Sequence, residues 1–175
     1  YTEIVQILLE HGVADNVAKR GENTCLMMAS KLGHVEIVRL LLENSPHRVN
    51  VSNDAGYSSL LFACRKGHIK VARLLLETGA RVDASNCHGQ TSLIFASWDG
   101  NLEVATLLLE YGADPNVVAS FKQQTSLIVA AKRGNLAVAK LLLNSGACID
   151  AIDDRGSTPL FLSCENNHLE VVRLL

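Results

Sequence analysis

Six histidines and five cysteines are the side chains of this 175-residue sequence best suited to acid–base, nucleophilic or metal chemistry. Their spacing supports none of the three. The cysteines, at positions 25, 64, 87, 148 and 164, form no C-x-x-C, and no H-E-x-x-H, G-x-S-x-G or glycine-rich phosphate loop occurs. No catalytic residue, metal site or cofactor is assigned on this pattern. His34, His68 and His168 fall at one recurring break between helical stretches, where Asn101 and Asn135 stand in other copies. A place that takes His or Asn indifferently is expected to serve capping or packing, not proton transfer. His11, His47 and His88 lie in turns.

The elements that position these residues recur along the chain. In Gly100 to Asn116, Leu102, Val104, Ala105, Leu107, Leu108 and Leu109 crowd one side and the centre of a short helix. Gly112 then offers a left-handed stop. Leucine-rich triplets begin at Ile7, Leu40, Leu74, Leu107 and Leu141, with a truncated Leu174-Leu175, at spacings of 33, 34, 33, 34 and 33. Thr24, Ser58, Thr91, Thr125 and Thr158 each stand 16 residues before a triplet, and Gly33, Gly67, Gly100, Gly134 and Asn167 nine after that hydroxyl residue. Three markers in phase define a repeat. One copy cannot bury its own apolar faces, so the copies must stack. Each hydroxyl is expected to cap a short first helix, running in one copy from Ser92 to Trp98 or Asp99. Leu93, Ala96 and Ser97 would face the stack. Leu107 and Leu141 are expected to be buried alike.

These motifs resemble the ankyrin repeat. Gly156-Ser157-Thr158-Pro159-Leu160 is similar to the family's opening turn, Gly33 through Leu42 (GHVEIVRLLL) to its second helix, and Gly112-Ala113-Asp114-Pro115-Asn116 to its exit. The resemblance covers the whole chain and implies an all-α ankyrin-repeat solenoid of stacked helix-turn-helix units with hairpin-like finger loops. Where the family usually carries a His two residues after the turn proline, this chain has Met27, Leu61, Ile94, Ile128 and Phe161. Apolar packing is expected there.

Read by phase, the chain is a single domain with no linker: a partial repeat 1–18, full repeats 19–52, 53–85, 86–119 and 120–152, and a partial repeat 153–175. The first stretch should be helical to about Glu10, with Gly12 in the exit turn. Pro46 should close a helix. One extra residue around Val117 to Phe121 should make that loop protrude. Cys64 and Cys164 share one inner position three repeats apart, which at ~10 Å per helix layer is beyond disulfide reach. Free thiols then suit a reducing compartment, the cytoplasm or nucleus. No apolar run nears the ~18 to 20 residues that span a membrane, and no signal peptide is evident. Tyr1 is not an initiator Met, so the chain is expected to be part of a longer array, and to act as a monomer.

In the resembling family, partner-binding positions lie on the finger tips and the exposed face of the first helix, lining a concave groove. Mapped by phase, these are the pairs Lys31-Leu32, Arg65-Lys66, Trp98-Asp99, Lys132-Arg133 and Glu165-Asn166, with Tyr57, His88, Gln90, Phe121, Lys122, Gln124 and Arg155 on the fingers and Asp54 and Asp154 opposing. Five of the ten paired residues are basic, although the chain's net charge is −2. This argues for a basic groove with Trp98, the single tryptophan, as its aromatic anchor. The expected function is a non-catalytic protein–protein interaction module, a scaffold or adaptor, taking an acidic segment with one apolar side chain. Two alternatives stay open: a regulatory or substrate-recruiting arm of a larger enzyme or channel, and single-stranded nucleic acid or nucleotide on Trp98, Lys66, Lys132 and Arg133. The overall charge disfavours a general polyanion binder. Glu36, Arg39, Glu43, Lys70, Arg73 and Glu77 form solvated outer faces with weak pairs. Asn16, Asn50 and Asn116 share the exit-turn position with Asp83 and Asp150, and are expected to bond their own turn backbone. The resemblance also implies that an asparaginyl hydroxylase can modify Asn116.

Overall fold

The computed structural model describes residues 22–175 and, before them, Glu3, Ile7 and His11. The readings of a helix to Glu10, of Gly12 and of Asn16 lie outside the described residues. Ten α-helices follow in antiparallel pairs among the described residues: α1 (Cys25–Leu32) with α2 (Val35–Asn44), α3 (Ser59–Arg65) with α4 (Ile69–Glu77), α5 (Ser92–Asp99) with α6 (Leu102–Glu110), α7 (Ser126–Arg133) with α8 (Leu136–Asn144), and α9 (Pro159–Glu165) with α10 (Leu169–Leu174). No strand occurs among the described residues. The two isolated antiparallel bridges, Ser52 to Ser58 and Ser85 to Thr91, close finger loops.

The hydroxyl ruler is a row of N-caps. Thr24, Ser58, Thr91, Thr125 and Thr158 each accept a hydrogen bond from the backbone N–H three residues on, at 3.2–3.4 Å. The break residues tie one pair to the next. The Nε2–H of His68 donates to the Lys31 carbonyl at 3.1 Å, that of His168 to Lys132 at 3.1 Å, and Asn135 Nδ2 to Ser97 at 2.7 Å. Each bond satisfies a carbonyl that the end of the preceding first helix leaves without an intrahelical partner. Gly33 is required beneath this tie: its φ is +76°, and a Cβ there would come within 2.7 Å of the His68 ring. Capping and packing thus account for the break position. Asn101 adds a cap of its own, accepting from Val104 N–H at 3.0 Å.

Successive first helices touch, as do successive second helices, and the first helices pack the more closely. That closer packing makes the first-helix side of the stack concave. The core runs unbroken through the pairs, with the middle leucine of each triplet (Leu41, Leu75, Leu108 and Leu142) buried. Several expectations change here. Leu107 is buried, but Leu141 and Leu109 are only partly so. Leu102 is 42% exposed, because it starts its helix one turn ahead of the packed stripe. Met27, Leu61, Ile94 and Ile128 are buried as apolar contacts, whereas Phe161 is 56% exposed on the last pair. Cys164 is likewise exposed where its counterpart Cys64 is buried. α2 ends at Asn44, and Pro46 opens a short 3-10 turn, Pro46–Arg48.

Candidate functional site

Among the described residues, four fingers stand beside the first helices and are joined tip to tip by backbone bonds. Cys87 N–H donates to Ala55 O at 3.0 Å, Phe121 N–H to His88 O at 3.1 Å, and Asp154 N–H to Lys122 O at 3.1 Å. The register is kept even where the chain gains a residue. The surplus is taken up at the entry to the finger: Ala119 N–H donates to Gln124 O at 3.0 Å, five residues on, where Asn53, Asn86 and Asp153 each close on the residue four on (Tyr57, Gln90 and Ser157), and Val118 beside it stands 55% exposed. The finger itself then bends through two left-handed residues, Lys122 (φ 62°) and Gln123 (φ 46°). Gln123 occupies the place of Gly56, Gly89 and Gly156.

The expected groove residues fall on this concave side, and the structure joins many of them through rings. The Arg133 guanidinium lies over the Trp98 ring at 3.9 Å. Arg65 lies over Phe95 at 5.2 Å and Tyr57 at 5.8 Å, and its Nη1 donates to the Tyr57 hydroxyl at 3.1 Å. Lys31 sits over Phe62 at 5.7 Å, and Lys122 over Phe121 at 5.1 Å. His88 meets Phe121 at 5.6 Å between ring centres. Lys122, Lys132 and Arg155 share a polar cavity of about 120 Å³ with Asp153, Asp154 and Glu165.

Phe62 and Phe95 were missed from sequence. Both stand four residues after a cap hydroxyl, and with Tyr57 they make a continuous ring cluster, 5.2 Å from Tyr57 to Phe62 and 6.1 Å to Phe95. Their common phase was the available signal. Gln90 is held within its own finger, its Oε1 accepting from Asn86 Nδ2 at 3.0 Å. Lys66 and Asp99 are exposed without an ion pair or ring partner among the described residues.

Cations on the two sides differ in ring contact: every cation–π contact among the described residues is made by Lys31, Arg65, Lys122 or Arg133, while Lys70, Arg73 and Lys140 on second helices, like the groove cations, have no ion pair among them. The ion pairs among the described residues are Glu36–Arg39 at 3.6 Å and Glu170–Arg173 at 2.8 Å, both on second helices. The groove cations Lys31, Arg65, Lys122, Lys132, Arg133 and Arg155 have no carboxylate within pairing distance among the described residues. A guanidinium stacked on a ring keeps its edge N–H groups, which can grip a planar oxyanion in bidentate fashion.

The exit-turn asparagines overturn one expectation. They bond the next pair's exit turn, not their own backbone. Asn50 Nδ2 donates to Gly79 O at 3.0 Å while its Oδ1 accepts from Arg81 N–H at 2.8 Å. Asn116 does the same with Gly146 O at 3.0 Å and Cys148 N–H at 2.7 Å. Among the thiols, burial pushes Cys64 up to about 12, which keeps it a neutral packing group at physiological pH. No group of three or more His, Cys, Asp or Glu side chains among the described residues is placed to hold a metal ion.

Stacked, capped helix pairs with bonded fingers and a concave first-helix face define a helical repeat solenoid. The family model for ankyrin repeats matches in three copies, over residues 1–53, 44–119 and 117–175. The chain belongs to the ankyrin repeat family. Such repeats are generally non-catalytic modules that bind other proteins. No curated protein matches the chain significantly. Among the described residues no helix is long and apolar enough to cross a membrane.

Proposed function

We propose that the concave groove binds an acidic segment of another protein carrying one apolar side chain, and that the chain thereby serves as a scaffold or adaptor in the cytoplasm or nucleus. The observation that carries this reading is the stacking of groove cations on aromatic rings. Lys31, Arg65 and Arg133 rest on aromatic rings and have no carboxylate within pairing distance among the described residues, whereas the second-helix cations make no ring contact among them. Trp98 is 42% exposed beside Arg133, so an apolar side chain reaching it loses water against an indole edge already ordered by the guanidinium. Long-range attraction between the groove and such a segment speeds encounter.

Trp98 is the only tryptophan, so its fluorescence reports the groove directly. An acidic peptide with a single leucine should change its emission in a saturable way that weakens with salt. The change should vanish in a Lys132→Ala, Arg133→Ala double variant whose circular dichroism matches the wild type. Peptide binding detected by calorimetry with no change at Trp98 would move the site off the groove. An oligonucleotide of equal charge binding more tightly would replace the partner class.

A further inference from the structure

The groove cations are not scattered. Lys31, Arg65, Trp98 and Lys132 each stand seven residues after their cap (Thr24, Ser58, Thr91 and Thr125), so they occupy the same place on α1, α3, α5 and α7. Each of these helices touches the next. Packed helices lie about 8–10 Å apart, so this row repeats at that interval and spans about 24–30 Å over three steps. A ligand whose side chains meet the row must repeat at the same interval and keep them on one face.

Three backbone conformations can be compared with that ruler. A β-strand rises about 3.3 Å per residue, but side chains three apart, at ~10 Å, point to opposite faces; those two or four apart share a face at ~6.6 or ~13 Å and miss the interval. An α-helix brings residues seven apart to nearly one face at ~10.5 Å, and overshoots the row by the third step. A polyproline II helix has three residues per turn and rises about 3.1 Å per residue. Residues three apart then share a face at ~9.3 Å, and three steps cover ~28 Å. The aromatic floor agrees. Tyr57, Phe62 and Phe95 form a contiguous ring cluster beneath Lys31 and Arg65, and aromatic-lined grooves are the usual bed of polyproline II segments.

We infer that the groove's partner is a proline-rich polyproline II segment with the order acid, acid, apolar, acid at every third residue, matching Lys31, Arg65, Trp98 and Lys132. This rests on the acidic-segment reading above and specifies its conformation and register.

The test is fluorescence anisotropy with labelled peptides. The first has Glu at positions 1, 4 and 10, Leu at 7 and Pro between; the second is its reversed sequence; the third has the same composition with the three Glu contiguous; the fourth is helical, with Glu at 1, 8 and 22 and Leu at 15. One of the first two should bind about tenfold more tightly than the third, the sum expected of three modest exposed ion pairs. Arg65→Glu should weaken that peptide, and Lys in place of the Glu that faces Arg65 (position 4, or position 7 of the reversed peptide) should restore it. Equal binding of spaced and contiguous peptides would overturn the register while leaving an acidic groove. A preference for the helical peptide would overturn the conformation. No binding by any of them, with all variants folded, would remove both this inference and the acidic-segment reading.

Discussion

Asn116 and Asp83 occupy the same place after α6 and α4, yet they fasten the stack differently. Asn116 uses both ends of its amide, donating to Gly146 O and accepting from Cys148 N–H. Asp83 only accepts, from Asp114 N–H at 3.3 Å to each oxygen, and offers nothing to Gly112, the residue in the register of Gly79 and Gly146. Asn50, after α2, repeats the two-ended tie. The links are chained: Asp83 holds Asp114, whose carboxylate accepts from Asn116 N–H at 2.8 Å, and Asn116 holds the following turn. The difference teaches that the exit-turn residue is an inter-repeat fastener, and that a carboxylate makes half of one. The weaker tie lies between the second and third pairs, beside the helix that carries Trp98.

Asn116→Ala should show the largest effect. It removes two hydrogen bonds across a joint, each worth about 0.5–1.5 kcal/mol net, so a loss of roughly 1–3 kcal/mol is expected in urea unfolding. Asn116→Asp keeps the acceptor and should lose about half as much. A loss below ~0.5 kcal/mol for the alanine variant would mean that water replaces the tie, and the contrast with Asp83 would carry no energy.

Asp83→Asn should act in the opposite sense, adding a donor where Gly112 O lies in register and stabilising by about 0.5–1.5 kcal/mol at pH 7. The gain should depend on pH. Burial pushes the Asp83 carboxyl above its ordinary 3.8, with the Asp114 N–H bond opposing and the Asp114 charge adding to the rise. The folded state therefore holds the proton more tightly than the unfolded chain. Stability from this group is fully present below about 3.8 and is lost as pH rises through the folded-state value. A protonated Asp83 also carries the O–H donor that Asn would supply. The advantage of Asp83→Asn should thus shrink as pH falls through the folded-state value of Asp83. A gain constant across pH would show that the carboxylate's charge is not what weakens this joint.

These fasteners mark where the sequence was legible and where it was not. The hydroxyl, glycine and leucine rulers were local and periodic, and each cap and helix pair among the described residues followed from them. Within a single copy the exit-turn amide can bond only its own turn, and that is all its local sequence implies. Its partners lie 29–32 residues away and exist only once copies are stacked. The groove shows the same limit. The positions of Lys31, Arg65, Trp98 and Arg133 could be mapped by phase, but Arg133 over Trp98 and Lys31 over Phe62 join neighbouring pairs. Phe62 and Phe95 escaped notice because an apolar residue inside a helix reads as core, and only the cap-relative phase puts them at the groove. Leu107 and Leu141 are identical in phase, and nothing in either triplet told their burial apart.

The smallest effect should come from Gln123, in the finger that follows Asn116. Its φ of 46°, next to Lys122 at 62°, holds a side chain where the other fingers use glycine. A left-handed non-glycine residue costs about 1–3 kcal/mol, whereas glycine costs about 0.5–1 kcal/mol in extra unfolded-chain entropy. Gln123→Gly should therefore stabilise by about 0.5 kcal/mol or slightly more, a rise of a degree or two in Tm. Gly89 supplies the control. It has φ +73° with Ser120 N 2.5 Å from where a Cβ would stand, so Gly89→Ala must push the next finger away as well as strain its own. If Gln123→Gly proved neutral while Asn116→Ala cost its full amount, the left-handed bend would store no strain and the energy of this joint would lie in the two-ended tie. Additive effects in the double variant would instead show that tie and finger are independent, since residues sharing a strained segment couple and distant ones add.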